Sequence, residues 1–189
     1  DRIAQVEAMH KVSLAIISQL SIDTVLNQIT IQAARWLEAD GAGIFLNKEG
    51  MLQLAAVYNL PRQYIDVLIP LGYGVAGSVA QTRKSIFLEN YGRDWKRESD
   101  LPLSRETFGS VISVPLIYAG ETIGILMVIT GRQGRLLHEE DVPLLEMLGA
   151  QAATAISHSH LFTQQQKLAD QVEAARSQLE TVLTSTENP

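Results

Sequence analysis

Four residue groupings in the 189-residue chain could carry chemistry: its histidines, a glycine motif, an aromatic and basic stretch, and two serines in an apolar run. The histidines, His10, His138, His158 and His160, all fall on segments that read as helices flanking the middle of the chain. None lies where a Ser/His/Asp triad or a two-His metal site could assemble. His158 and His160 are two apart on a helix and point in different directions. Gly72-Tyr-Gly-Val-Ala-Gly77 is literally GxGxxG. A dinucleotide site needs that motif before a long helix, with an acid roughly 20 residues further on. Here the helical stretch Val75 to Arg83 is short and the next strand reaches Glu89 only 12 residues after Gly77, so the glycines are read as serving the backbone.

The third grouping is Asn90 to Phe108, where Tyr91, Trp95 and Phe108 are interleaved with Arg93, Lys96, Arg97 and Arg105. A structureless stretch of that length inside a compact domain is usually functional or mobile. Two readings stand side by side: a solvated loop whose aromatics plug their own domain, and a lid with aromatic walls and an arginine for an anionic group.

Composition removes other classes. With no cysteine there are no disulfides, thiolate nucleophiles, Cys-ligated metals or thioether-linked chromophores. A net charge of -6 opposes non-specific nucleic-acid binding. No run approaches the ~18 apolar residues of a membrane span, no secretion signal is evident, and a cytoplasmic location fits. The length suits one domain, or one domain plus helical extensions.

The elements that must position these residues centre on one hairpin. Gly109 to Tyr118 and Thr122 to Thr130 are β-branched, almost uncharged arms joined by Ala119-Gly120-Glu121. Its second arm is apolar at nearly every position from Ile123 to Ile129, so both of its faces must be covered. One cover is helical: Arg2 to Leu20, with Ile3, Val6, His10, Ser13, Ile17 and Leu20 on one seam; Ile22 to Glu38, capped by Ser21; and a third helix from about His138. The first starts without a cap, as a fragment cut from a longer chain would. The other cover is Pro61 to Phe108, which would roof a cavity. Within it a short helix is expected from Pro61 to Val67 and an edge strand at Ile69-Pro70-Leu71; before it, Ala42 to Leu46 and Met51 to Tyr58 form a second hairpin. The last helix has nothing to stop it before about Thr186. It would run roughly 70 Å, past a domain about 35 to 40 Å across. Its far half carries Leu161, Leu168, Ala175 and Val182 at sevens, interleaved with Gln165, Val172, Leu179 and Thr186 at sevens. That is a coiled-coil seam, and a homodimer is its simplest partner.

Ser110-Val-Ile-Ser-Val-Pro-Leu, a glycine turn and Thr122-Ile-Gly-Ile-Leu-Met-Val resemble the core hairpin of a GAF domain. Gly74-Val-Ala-Gly-Ser-Val-Ala, Lys84-Ser-Ile-Phe-Leu-Glu-Asn-Tyr and the helix Glu140-Asp-Val-Pro-Leu-Leu-Glu-Met-Leu-Gly extend the likeness over residues 21–160. The resemblance implies an α+β fold: a central antiparallel sheet of about five or six strands, helices on one face, a pocket on the other, and long N- and C-terminal signalling helices. The domains would be a signalling helix at 1–20, the GAF domain at 21–160 and a coiled-coil linker at 161–189.

The implied function is a regulatory sensor that binds a small molecule non-covalently and relays it through dimeric helices. The alternative is a ligand-free dimerisation spacer. The pocket residues would be Tyr91, Trp95, Arg97, Phe108, Ser110 and Ser113. Leu179-Glu-Thr-Val-Leu-Thr looks like an exit into a PAS or kinase domain, which implies a bacterial sensor of the histidine kinase type. No catalytic residue, metal or cofactor is expected. The GAF-fold methionine sulfoxide reductases use cysteines that are absent, His138-Glu139 lacks the Leu-Arg-Thr-Pro of a phosphoacceptor box, and Asn47-Lys48-Glu49 does not continue as in cyclic-nucleotide-binding GAF domains.

Overall fold

The computed structural model describes residues 21–186, with side chains to Val182. The expected helix at 2–20 lies outside the described residues. Ser21 caps helix α1 (Ile22–Trp36): its Oγ accepts from Thr24 N at 3.3 Å, and Asp23 sits in the first turn, where the helix dipole favours a negative charge. β1 (Gly41–Lys48) and β2 (Met51–Tyr58) form the first hairpin. β3 (Leu68–Pro70), α2 (Gly74–Thr82), β4 (Ile86–Leu88), α3 (Tyr91–Asp94) and α4 (Ser104–Thr107) follow. β5 (Phe108–Tyr118) and β6 (Glu121–Gly131) make the central hairpin, and α5 (Val142–Thr186) closes the chain.

The six strands run antiparallel in the order β3-β2-β1-β6-β5-β4. β6 therefore lies between β1 and β5, which explains why it is apolar on both faces. Leu126 and Val128 point into a core with Ile112, Val114, Ile44 and the helices α1 and α5. Ile125, Met127 and Ile129 point into a second core with Phe45, Leu54, Val75 and Tyr91. The strands approach closely at Gly124, where a Cβ would stand 2.3 Å from the Phe45 carbonyl oxygen.

Three expectations are corrected. The helix at Pro61 to Val67 is only a 3-10 turn, Arg62–Tyr64, and the edge strand falls one residue earlier than expected. Asn90 to Phe108 is not structureless, because Asn90 Oδ1 caps α3 by accepting from Arg93 N at 2.9 Å and α4 follows. The last helix starts where expected, at about His138: it opens as a 3-10 turn, Glu139–Asp141, where His138 N donates to Asp141 Oδ2 at 2.9 Å, so the cap oxygen comes from the acid.

α5 has 45 residues, about 68 Å at the α-helical rise. Its first half packs Leu145, Leu148, Ala152, Ala153 and Ile156 on the sheet. Beyond it Leu161, Leu168, Val172, Leu179 and Val182 are exposed. Among the described residues no helix is long and apolar enough to cross a membrane.

Candidate functional site

The roofed face of the sheet is built from the Gly72 turn outward. Gly72 N donates to Gly77 O at 2.8 Å, and Gly77 lies so near that a Cβ on it would be 2.4 Å from Pro70 O. This turn aims the first N–H groups of α2 at the roof. Val75 N donates to Asp100 Oδ2 at 3.0 Å and Ala76 N to Asp100 Oδ1 at 2.6 Å. The Tyr91 phenol donates to Asp100 Oδ2 at 2.7 Å and accepts from Asp100 N at 3.0 Å. Asp100 and Tyr91 are both buried. Burial pushes the Asp100 carboxyl up from its ordinary range, opposed by the bonds from Ala76, Tyr91 and Val75. Burial, and then the Asp100 charge, raises the Tyr91 phenol far above its ordinary value.

Of the six residues expected in a pocket, four lie in or face this core. Tyr91 and Phe108 meet edge to face with ring centroids 5.5 Å apart. Trp95 is almost buried and its Nε1 donates to Glu98 O at 2.7 Å. Ser113 pairs with Met127 and Ile86, two residues on from Val111, so alternation puts its side chain on the roofed face. Its hydroxyl is buried without a partner.

The other two lie elsewhere. Arg97 is exposed, with its guanidinium 5.7 Å from the Trp95 ring centroid and Nη2 donating to Gly72 O at 3.3 Å. It clamps the outside of the roof. Ser110 faces the helices: its Oγ lies 2.8 Å from Thr130 Oγ1 and accepts from Leu137 N at 2.8 Å. The irregularity between Phe108 and Val111 explains this, because one extra residue there lets Phe108 and Val111 share the roofed face while Ser110 turns away.

Neither Asp100 nor Ser104 is singled out by the sequence. The roofed core is filled by its own side chains, among them Tyr64, Tyr91, Trp95, Leu101 and Phe108. Two open grooves, of about 510 and 530 Å³, lie outside it: one at the Glu121 end of the central hairpin beside α5, the other between Lys84 and Glu146. Among the described residues no cluster of His, Asp or Glu could hold a metal ion.

The family model of the GAF domain matches residues 19–157. The chain belongs to the GAF family. GAF domains are regulatory sensor modules, and the six-stranded sheet, the helices and the long last helix of this one are those of the family. It resembles the GAF domain of an Acinetobacter phosphoenolpyruvate-protein phosphotransferase, with 27% identity, a TM-score of 0.65, and 81% of this chain and 95% of that one covered. The GAF-B domain of DevS from Mycobacterium smegmatis shares the fold at 19% identity, TM-score 0.62, covering 78% and 99%. A cGMP-specific 3',5'-cyclic phosphodiesterase of Drosophila pseudoobscura pseudoobscura is 24% identical over 77% of this GAF domain's chain, which spans only 15% of the phosphodiesterase.

Proposed function

We propose that this GAF domain is the sensor part of a larger signalling protein, binding a small molecule without a covalent bond and passing its presence to neighbouring domains through α5. The observation that carries this reading is α5 itself. One half of the helix lies on the sheet against Val114 and Leu116, and the other carries an exposed apolar seam beyond the domain. A helix rigid over both halves turns a shift in the sheet into a shift of the seam. Two copies joined along that seam as a coiled coil would read it as a change of packing, provided the ligand binds one arrangement more tightly than the other.

The parent protein is proposed to be a bacterial, cytoplasmic sensor of the histidine kinase type, with a PAS or kinase domain following residues 161–189. The domain itself is proposed to have no enzymatic activity, and with its acidic balance no nucleic-acid partner. The Drosophila relative is cGMP-specific by name. Asn47-Lys48-Glu49 does not extend into the cyclic-nucleotide pattern, so cGMP is not the ligand proposed.

A second reading, the ligand-free spacer, is favoured by one observation: Tyr91, Trp95 and Phe108 fill the space beneath the roof. Native mass spectrometry of the purified chain separates the two. Twice the chain mass with a discrete added mass supports the sensor. Twice the chain mass alone, persisting after incubation with cell extract, supports the spacer, and a monomer removes the dimeric relay from both.

A further inference from the structure

A sensor needs a space to fill, and beneath the roof Tyr91, Trp95 and Phe108 occupy it. The groove of about 510 Å³ at the Glu121 end of the central hairpin is open and of a size for a small molecule. Its walls are mostly apolar: Ile22 from the start of α1, Leu46 from β1, Ile123 from β6, and Ile156 and Leu161 from α5. Two polar groups that line it stand unanswered. Thr122 is 8% exposed; its carbonyl accepts from Asn47 Nδ2 at 3.0 Å, but its hydroxyl is buried without a partner. A buried hydroxyl left unpaired is costly and uncommon, which points to a partner that arrives from outside. Lys48, at the end of β1, is the other. Among the described residues it pairs with no carboxylate, whereas Glu121 on the same rim has Arg83 at 3.6 Å. The unbalanced charge at the groove is therefore positive.

We propose that this groove is the sensor's ligand site and that it takes an amphipathic anion. An aliphatic or aromatic body would lie along Ile22, Leu46, Ile123, Ile156 and Leu161, with its charged end at Lys48 and a polar atom on the Thr122 hydroxyl. This rests on the sensor reading and supplies its site and ligand class. It also removes the conflict between that reading and the filled roof. The position suits a relay. Ile156 belongs to the core on the sheet, whereas Leu161, five residues on, is half exposed and opens the outer seam. A ligand touching both, with Leu46 and Ile123 of the sheet behind it, bears on α5 where the helix leaves the domain, and so favours one setting of the outer half over another.

Two probes of opposite charge test the site. Sodium decanoate and decylamine, each below its micelle-forming concentration, are titrated into the full chain and followed by calorimetry. The expected result is saturable binding of one decanoate per chain, with decylamine weaker by about tenfold or more. Lys48→Gln changes an exposed side chain and should weaken decanoate by about tenfold. Thr122→Val should weaken it by about threefold while the Tm of the free chain is no lower than that of the wild type. Ser157→Phe fills the groove from the half-buried face of α5 and should abolish binding.

Decanoate that fails to bind, or that binds Ser157→Phe as well as wild type, overturns the groove as the site; residues 1–20 of the same chain filling it would give the first result. Equal binding of decanoate and decylamine overturns the anionic class. Affinity unchanged in both Lys48→Gln and Thr122→Val overturns the assigned contacts. The sensor reading fails separately. A molecule retained equally by wild type and Ser157→Phe in native mass spectrometry leaves the sensor and removes the groove. Decanoate binding that Ser157→Phe abolishes, with no molecule retained from cell extract and the association of the chains unmoved by decanoate, leaves the groove and removes the sensor.

Discussion

The two faces of one sheet are built to different rules. On the helix face the core is aliphatic, from Val25 and Leu26 on α1 to Leu145 and Ile156 on α5; Ser110 is paired with Thr130 and Leu137, and the Thr30 hydroxyl donates to Asn27 O at 2.8 Å, while the Thr122 hydroxyl, at the groove beside α5, is buried without a partner. On the roofed face aromatics join the aliphatics, a carboxylate and a phenol are buried together, and the Ser113 hydroxyl is left unpaired. Side chains of both cores are buried, so burial does not distinguish them. What distinguishes them is the chemistry that is buried: aliphatic packing on one face, and aromatic rings around a hydrogen-bonded carboxylate and phenol on the other.

The sharpest test of the scaffold half is Leu126→Ala. Leu126 is fully buried opposite Ile44 and Val114, between strands and helices that hold the cavity open. A loss of about 2–5 kcal/mol is expected in urea unfolding. A loss under 1 kcal/mol would show that this face is as adaptable as the other, and the contrast would lapse.

The two serines that the sequence grouped together now separate. Ser110→Ala leaves the buried Leu137 N–H without its acceptor and is expected to cost about 1–3 kcal/mol. Ser113→Ala removes a hydroxyl that bonds to nothing, and the expected change is neutral or slightly stabilising, within about 1 kcal/mol. Equal costs for the two variants would erase the distinction between the faces.

The serines also mark where the sequence stops being readable. The central hairpin, the capped α1 and the long α5 were legible because each declares itself locally, through β-branched runs, through Ser21 before an apolar stripe, and through a helical pattern with nothing to break it. Ser110 and Ser113 are three apart and cannot share a face of a regular strand, and which of them faces the roof was decided by the irregularity after Phe108, which depends on the partner strand. Gly109 fits there because a Cβ would stand 2.5 Å from Gly131 O, a contact made across the hairpin. Asp100 was harder still. It looks like any acid in a polar stretch, and its role appears only when residues 24 and 25 positions away turn their N–H groups toward it.

The smallest effect on the domain is expected on α5 beyond the sheet, and it extends the comparison from two faces to two halves of one helix. Leu168 and Val172 are both 63% exposed, and neither touches the two cores. Leu168→Lys with Val172→Lys should leave the unfolding of the domain at high dilution within about 0.5 kcal/mol of wild type, as surface changes do. The same pair would set like charges facing each other along the proposed seam, so sedimentation equilibrium should show a monomer where the wild type associates. A double variant that stays dimeric would place the contact between copies elsewhere on the molecule, and the outer half of α5 would then need another reason for its apolar repeat.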